Sequence, residues 1–118
     1  MPGGAPWTIE AYETEQGEMP ALRFLEGLAG RNESEAVALV KLLQERGSNL
    51  RRPQSGALGG GVFELRGKEV RIFYMFLPNH IAVLLDGAIK KRDDIPRRTL
   101  ERVRGYQKEV IRRHRGSR

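Results

Sequence analysis

A handful of arginines and lysines in the middle of the chain stand where strand geometry would bring them together. Phe63-Glu64-Leu65-Arg66 and Val70-Arg71-Ile72-Phe73-Tyr74 alternate in polarity on either side of Gly67-Lys68-Glu69. Such a pattern predicts an antiparallel hairpin, in which residues two apart share a face. Glu64 and Arg66 then point one way while Phe63 and Leu65 point the other, and Arg71 points away from Val70, Ile72 and Tyr74. The turn therefore gathers Arg66, Lys68 and Arg71 at one end of a sheet. Lys90, Lys91 and Arg92 leave a later strand, and join them if that strand ends on the same rim. A set of this kind suits phosphate. A guanidinium keeps its proton and grips phosphate oxygens in a fork, so Arg66 and Arg71 are candidate clamps. Positive neighbours disfavour a protonated amine, which makes Lys68 and Lys91 the candidates for proton transfer.

Each of these residues also has a plainer reading. Arg66 and Arg71 would lie on the solvent face of a hairpin, paired with Glu64 or Glu69, and Lys90 and Lys91 would guard a strand end. Tyr74 shares the Ile72 face and reads as core, and Trp7 reads as an anchor for the first strand. His80 at a turn and His114 near the basic end read as solvated, so neither is placed in the site.

Charge extends the argument beyond the hairpin. The 118 residues carry a net charge of +6, with Lys and Arg totalling 21 against 15 Asp and Glu. The balance is uneven, at −4 over residues 1–48, +3 over 49–85 and +7 over 86–118. One end of the protein is thus built to meet a polyanion. With no cysteine and two histidines, disulfides, a thiolate nucleophile and a catalytic zinc centre are not expected. No apolar run approaches the roughly 18 residues of a membrane span, and the start lacks the pattern of a signal peptide, so a cytoplasmic protein is expected.

The elements that must position these residues follow from periodicity. Residues 1–6 form a Gly/Pro leader, expected to be flexible, and Trp7 to Tyr12 alternates as a first strand. Pro20 opens a helix carrying Leu22, Leu25, Leu28 and Ala29 and ending at Gly30. Asn32 and Glu35 have capping-box spacing ahead of Ala36, Leu39, Val40 and Leu43, a second helix that stops at Gly47. Ser48 to Gly61, with Arg51, Arg52 and three consecutive glycines, reads as a loop; no Lys-Ser/Thr pair follows to make it a phosphate-binding one. Strands are expected at Val62 to Arg66, Val70 to Leu77 and Ile81 to Ile89, the last central and covered on both faces. A basic helix begins near Pro96, burying Leu100, Val103, Gln107 and Val110 and leaving Arg98, Arg102, Arg112 and Arg113 to solvent. The expected architecture is a small single α+β domain over residues 7–115, in the order β-α-α-β-β-β-α. Its antiparallel-rich curved sheet packs against an N-terminal helical hairpin and a C-terminal helix, and residues 116–118 form a flexible tail.

That order, with Phe63-Glu64-Leu65-Arg66, Val70-Arg71-Ile72-Phe73-Tyr74, Val83-Leu84-Leu85-Asp86-Gly87-Ala88-Ile89-Lys90-Lys91 and Ile95-Pro96 before a basic helix, resembles the phage-derived HigB-like branch of the RelE/ParE toxin superfamily. The resemblance covers nearly the whole chain from Trp7. It implies the toxin of a type II toxin-antitoxin system, which cuts mRNA on the translating ribosome without a cofactor and is neutralised by a helix-turn-helix antitoxin in a hetero-oligomer. Arg66, Lys68, Arg71 and Lys91 are then the catalytic candidates, and Arg51, Arg52, Lys90, Arg92, Arg97 and Arg98 the RNA-binding ones. Members commonly carry His-Gly-Phe before Lys-Lys, where this chain has Asp86-Gly87-Ala88-Ile89, so roles attached to that His or Phe are absent. Two other functions fit the same sequence: a toxin of this fold that inhibits DNA gyrase, and a non-catalytic RNA- or DNA-binding module.

Overall fold

The alternation on either side of Gly67 resolves into a five-stranded sheet of order β1-β5-β4-β3-β2. The structure is a computed structural model and describes residues 5–91 and 94–116. The elements are β1 (Thr8–Ala11), α1 (Pro20–Glu26), α2 (Gly30–Arg46), a short 3-10 turn (Gly47–Asn49), β2 (Ser55–Gly59), β3 (Val62–Arg66), β4 (Val70–Leu77), β5 (Ile81–Ile89) and α3 (Arg97–Gly116). Strands β2 to β5 form an antiparallel meander, and β1 adds to β5 in parallel, with Thr8 opposite Ile81. The expected class and the expected helical packing hold. Among the described residues no helix is long and apolar enough to cross a membrane.

The sheet separates two cores. Helices α1 and α2 cover the face that carries Leu65, Val70, Ile72, Tyr74 and Leu84, while α3 covers the face of Val62, Phe73, Met75, Val83 and Leu85. β5 contributes to both, as its nearly continuous apolar run requires. A bulge between Phe73 and Tyr74 in the pairing of β4 with β5 sets Asp86 opposite Phe73 and Leu84 opposite Tyr74. Leu85 is the extra residue, so strand parity reverses there and Asp86 turns toward α3. Trp7 packs on Phe76 and His80 and lies so close to Gly47 that a Cβ there would fall 2.0 Å from its ring. It anchors the first strand, as expected.

Several local expectations are corrected. The segment 48–61 is not all loop: Ser55–Gly59 pairs with β3 as the outer strand, adding one strand to the expected order. Gly59, Gly60 and Gly61 all have positive φ (92°, 64° and 87°) and make the β2–β3 turn, a backbone that glycine adopts without steric cost. That turn docks on α3, where Arg104 donates to the carbonyls of Leu58 and Gly59 and Gln107 to that of Gly60. The capping box does not form. α2 starts at Gly30 with no side-chain cap, and Glu35 instead accepts the Lys68 N–H at 2.9 Å. α1 stops at Glu26, before Leu28 and Ala29. α3 runs through Gly116, taking in His114 and one residue of the expected tail. Residues 1–4 of the expected leader and 117–118 of that tail lie outside the described residues.

Tyr74 is core, its hydroxyl 2.5 Å from Ser55 Oγ and 1% of its surface exposed. Burial pushes its phenol above the ordinary 10.0, the Ser55 bond acting weakly the other way. The unfolded chain therefore ionises first, so this contribution to stability is complete below pH 10.0 and is lost as pH rises toward the folded value. Tyr74→Phe leaves Ser55 without its partner and is expected to cost about 1–2 kcal/mol near neutral pH. It should also flatten the alkaline decline, which thermal unfolding at about pH 8 and about pH 11 measures. A variant as stable as the parent at both would remove the bond from the stability of the sheet.

Candidate active site

Register brings the hairpin cations face to face. Arg66 ends β3 directly opposite Arg71, the second residue of β4, and Arg71 lies opposite Ala88 of β5. One row across the α3-facing side of the sheet is therefore Arg66, Arg71, Ala88; the next is Glu64, Phe73, Asp86. Arg66 and Arg71 are not unpaired. Glu64 stands between them, 3.4 Å from Arg66 Nε and 3.7 Å from Arg71 Nε. Both Glu64 and Arg71 are buried, at 6% and 7% exposure. Arg71 Nη1 also donates to the carbonyls of Gly67 at 2.5 Å and Val70 at 2.9 Å. These bonds hold the fork against the turn. Glu64 Oε1 and Arg71 Nε complete no hydrogen bond although they face one another. A buried charged pair that lacks its hydrogen bonds gains little stability from proximity.

The lysines reach the same rim from two sides. Lys90 N–H donates to Glu69 O at 2.6 Å, tying the end of β5 to the β3–β4 turn that carries Lys68. Lys90 and Lys91 line a cavity of about 230 Å³ together with Arg71, Asp94 and an apolar wall of Phe73, Ala88, Ile89, Ile95 and Pro96. Lys68 stands outside that cavity, exposed on the turn. Arg97 and Arg98 open α3 just beyond Pro96 and are exposed, with Arg97 3.6 Å from Glu101. The Arg51–Arg52 loop leads into β2 beside Arg66, whose N–H donates to Gln54 O, and Arg51 itself folds back onto Ser48 O. Arg92 lies outside the described residues.

Not all the basic residues of α3 serve this rim. Arg102 holds Asp86 at 2.8 Å, and Arg113 reaches the Glu13 carbonyl and stands over the Tyr12 ring. Arg112 pairs with Glu109, a contact that keeps that carboxyl below its ordinary range. All three stay open to solvent in part, as expected, Arg112 most of all at 66% side-chain exposure, while Arg102 and Arg113 also tie α3 to β5 and to the segment after β1. Tyr12 and Tyr106, the latter on α3, have phenols raised chiefly by burial and pack with ring centroids 4.8 Å apart at a tilt of 31°.

Sequence reasoning left Glu64 out of the site and did not see the cavity. Glu64 was legible in part: it shares parity with Arg66, and a hairpin register of Arg66 against Arg71 places all three together. The cavity depends on the bulge in β5 and on the approach of Ile95 and Pro96, which no local pattern encodes. Among the described residues no three His, Cys, Asp or Glu side chains gather closely enough to hold a metal. The arrangement suits an anion at the mouth of an apolar recess lined by the cations Arg71, Lys90 and Lys91.

Residues 23–108 match the family described as phage derived protein Gp49-like (DUF891). Among solved structures, a chain of the toxin-antitoxin complex RelBE2 from Mycobacterium tuberculosis shares the fold, with a TM-score of 0.54 and 21% identity over 73% of this chain and 100% of that one. No curated protein matches. The family match bears out the phage-derived part of the resemblance drawn from the sequence, and the solved toxin-antitoxin structure shares the fold. The matched span contains all of the hairpin and Lys90 and Lys91, and it makes this chain a member of the phage-derived Gp49-like family.

Proposed function

We propose that this protein is the toxin of a toxin-antitoxin pair and acts as a ribosome-dependent mRNA endoribonuclease. The observation that carries the reading is the gathering of Arg66, Arg71, Lys90 and Lys91 at one end of the sheet, with Arg66 opposite Arg71, and with Arg71, Lys90 and Lys91 lining the cavity. In the reaction, an RNA 2′-oxygen attacks the adjacent phosphorus while the bond to the 5′-oxygen breaks. A base takes the 2′-hydroxyl proton and an acid supplies one to the leaving oxygen. Arg71 stabilises the extra charge on the phosphorane, helped by Arg66. Lys91, beside Arg71, serves in proton transfer, and Lys68 holds a neighbouring phosphate from the turn. Glu64 is a positioning residue that spaces the two guanidiniums. This chemistry calls for no cofactor.

The ribosome supplies substrate positioning, and the partner that silences the protein is an antitoxin with a helix-turn-helix domain, associating through charge complementarity. The test is a reconstituted translation reaction with purified protein, followed by mapping of mRNA ends. Cuts that require ribosomes and leave 2′,3′-cyclic phosphates are the expected result. Intact mRNA in that reaction overturns the reading, and inhibited supercoiling by gyrase with the same preparation would replace it.

Free RNA should bind mainly through phosphate contacts, with affinity falling steeply with salt. For single strands the slope of log K against log salt is about −0.7 per phosphate neutralised. The Arg97→Ala/Arg98→Ala double variant should flatten it by about 1.4, measured by fluorescence anisotropy over a salt series. An unchanged slope would place α3's first turn outside the RNA contact.

A further inference from the structure

Two carbonyls of the β3–β4 turn hold groups that lie outside it. Gly67 O accepts Arg71 Nη1, which fixes the guanidinium fork, and Glu69 O accepts the N–H of Lys90 at 2.6 Å, which fixes the end of β5. Gly67 N–H donates to Val70 O at 2.9 Å across the turn. A loop of two residues leaves the N–H of the first without an acceptor inside the turn. That residue is Lys68, and α2 supplies the acceptor: Glu35 Oε1 stands 2.9 Å from the Lys68 nitrogen. α2 buries the neighbouring Ala36, and Leu39, in the core that also takes Leu65 of β3 and Val70 of β4, so Glu35 reaches the turn from a packed element. The approach is close. A Cβ on Gly67 would fall 2.2 Å from Glu35 Oε1 and 2.4 Å from its Cδ. Gly67 is not among the glycines with positive φ, so its backbone would accept a side chain, and the Glu35 carboxyl is what excludes one.

We propose that Glu35 is a positioning residue for RNA cleavage, acting from α2 by holding the β3–β4 turn and, through the Gly67 and Glu69 carbonyls, the Arg71 fork and the end of β5. The inference rests on the nuclease reading for the reaction that the turn serves. Its physical content is a relay of three hydrogen bonds. Glu35 fixes the Lys68 N–H, the turn so fixed presents its carbonyls, and those carbonyls orient one cation and the strand end that leads into Lys90 and Lys91. The carboxylate meets a backbone N–H and not a side-chain cation, so its effect is on geometry. Geometry is where the reaction is sensitive, since a misplacement of about 1 Å can cost on the order of a hundredfold in rate.

The experiment joins cleavage kinetics in reconstituted translation to amide hydrogen exchange of the full chain by NMR. Glu35→Ala should lower kcat at least about tenfold with KM for programmed ribosomes within about twofold, and the Lys90 amide should exchange at least about tenfold faster. Glu35→Gln keeps an acceptor for the Lys68 N–H and should return both quantities to within about threefold of the parent. Gly67→Ala displaces the carboxyl and should lower kcat by itself, but should add less than about twofold once Glu35 is alanine. A purely structural role gives a different pattern, in which Glu35→Ala lowers the melting temperature and leaves kcat and Lys90 exchange at parental values. That pattern overturns the proposal, as do equal losses from Gly67→Ala with and without the Glu35 side chain. The two readings fail separately. A parent that cuts nothing removes the nuclease, and Lys90 exchange, which needs no cleavage, then decides whether Glu35 holds the turn. A parent that cuts while Glu35→Ala cuts equally fast keeps the nuclease and removes the positioning role.

Discussion

Arg71→Ala is expected to lower mRNA cleavage in reconstituted translation by at least about a hundredfold, the loss typical when one preorganised donor to a transition-state oxyanion is removed. Stability falls with it. Arg71 is 7% exposed and shares the buried Glu64 with Arg66, so the alanine leaves that carboxylate with one partner at 3.4 Å. Truncating one side of a buried ion pair costs about 3–5 kcal/mol, and the remaining arginine should hold the loss near the lower end. Growth inhibition alone would mix the two effects. The Glu64→Gln/Arg71→Ala protein separates them, since it removes the orphaned charge along with the guanidinium. It should recover most of the lost melting temperature and none of the activity. Arg71→Lys should rank between parent and alanine because it keeps the charge and loses the fork that also grips Gly67 O and Val70 O. If the double variant is folded and cleaves at the parental rate, Arg71 has no part in the chemistry.

The arrangement behind that prediction was partly visible in the sequence. Parity placed Arg66 and Arg71 on one face, and the turn residues Gly67-Lys68-Glu69 fixed how the two strands meet, so their juxtaposition followed from local pattern. The burial of Arg71 and Glu64 did not. Nor was β2 legible, because Ser55-Gly56-Ala57-Leu58-Gly59 contains no β-branched or aromatic residue and gains its strand geometry only by pairing at the sheet edge. Asp86 shows the same limit. Its direction depends on a bulge, and an inserted residue reverses every later assignment of inside and outside. Glu35 had the spacing for a helix cap, yet the backbone N–H of Lys68, remote in sequence, uses its carboxylate. The long basic helix shows a further limit, since a count of arginines cannot tell those that dock it from those that await a ligand.

Gly87→Ala should be the most destabilising single-atom addition in the sheet. Gly87 lies in β5 opposite Ile72, on the face that α1 covers, and a Cβ there would come within 2.1 Å of the Phe24 ring. The ring cannot stay where it is. α1 has seven residues, too few to persist as a helix without the packing that Phe24 and Ala21 provide, so displacing the ring loosens the whole element. Overpacking of this kind costs about 3 kcal/mol, a large share of the stability of a small domain and worth about 10–15 °C in melting temperature. The clash has a single partner, which makes the prediction specific. Phe24→Ala creates a cavity and is itself destabilising, but combined with Gly87→Ala it supplies the space that the new methyl group needs. The double variant should therefore be more stable than the sum of the two single losses requires, by at least about 1 kcal/mol of coupling. Additive losses would show that β5 shifts as a whole to admit the methyl group. In that case Lys90 and Lys91, which continue the same strand, would move as well, and cleavage should fall in both Gly87 variants alike.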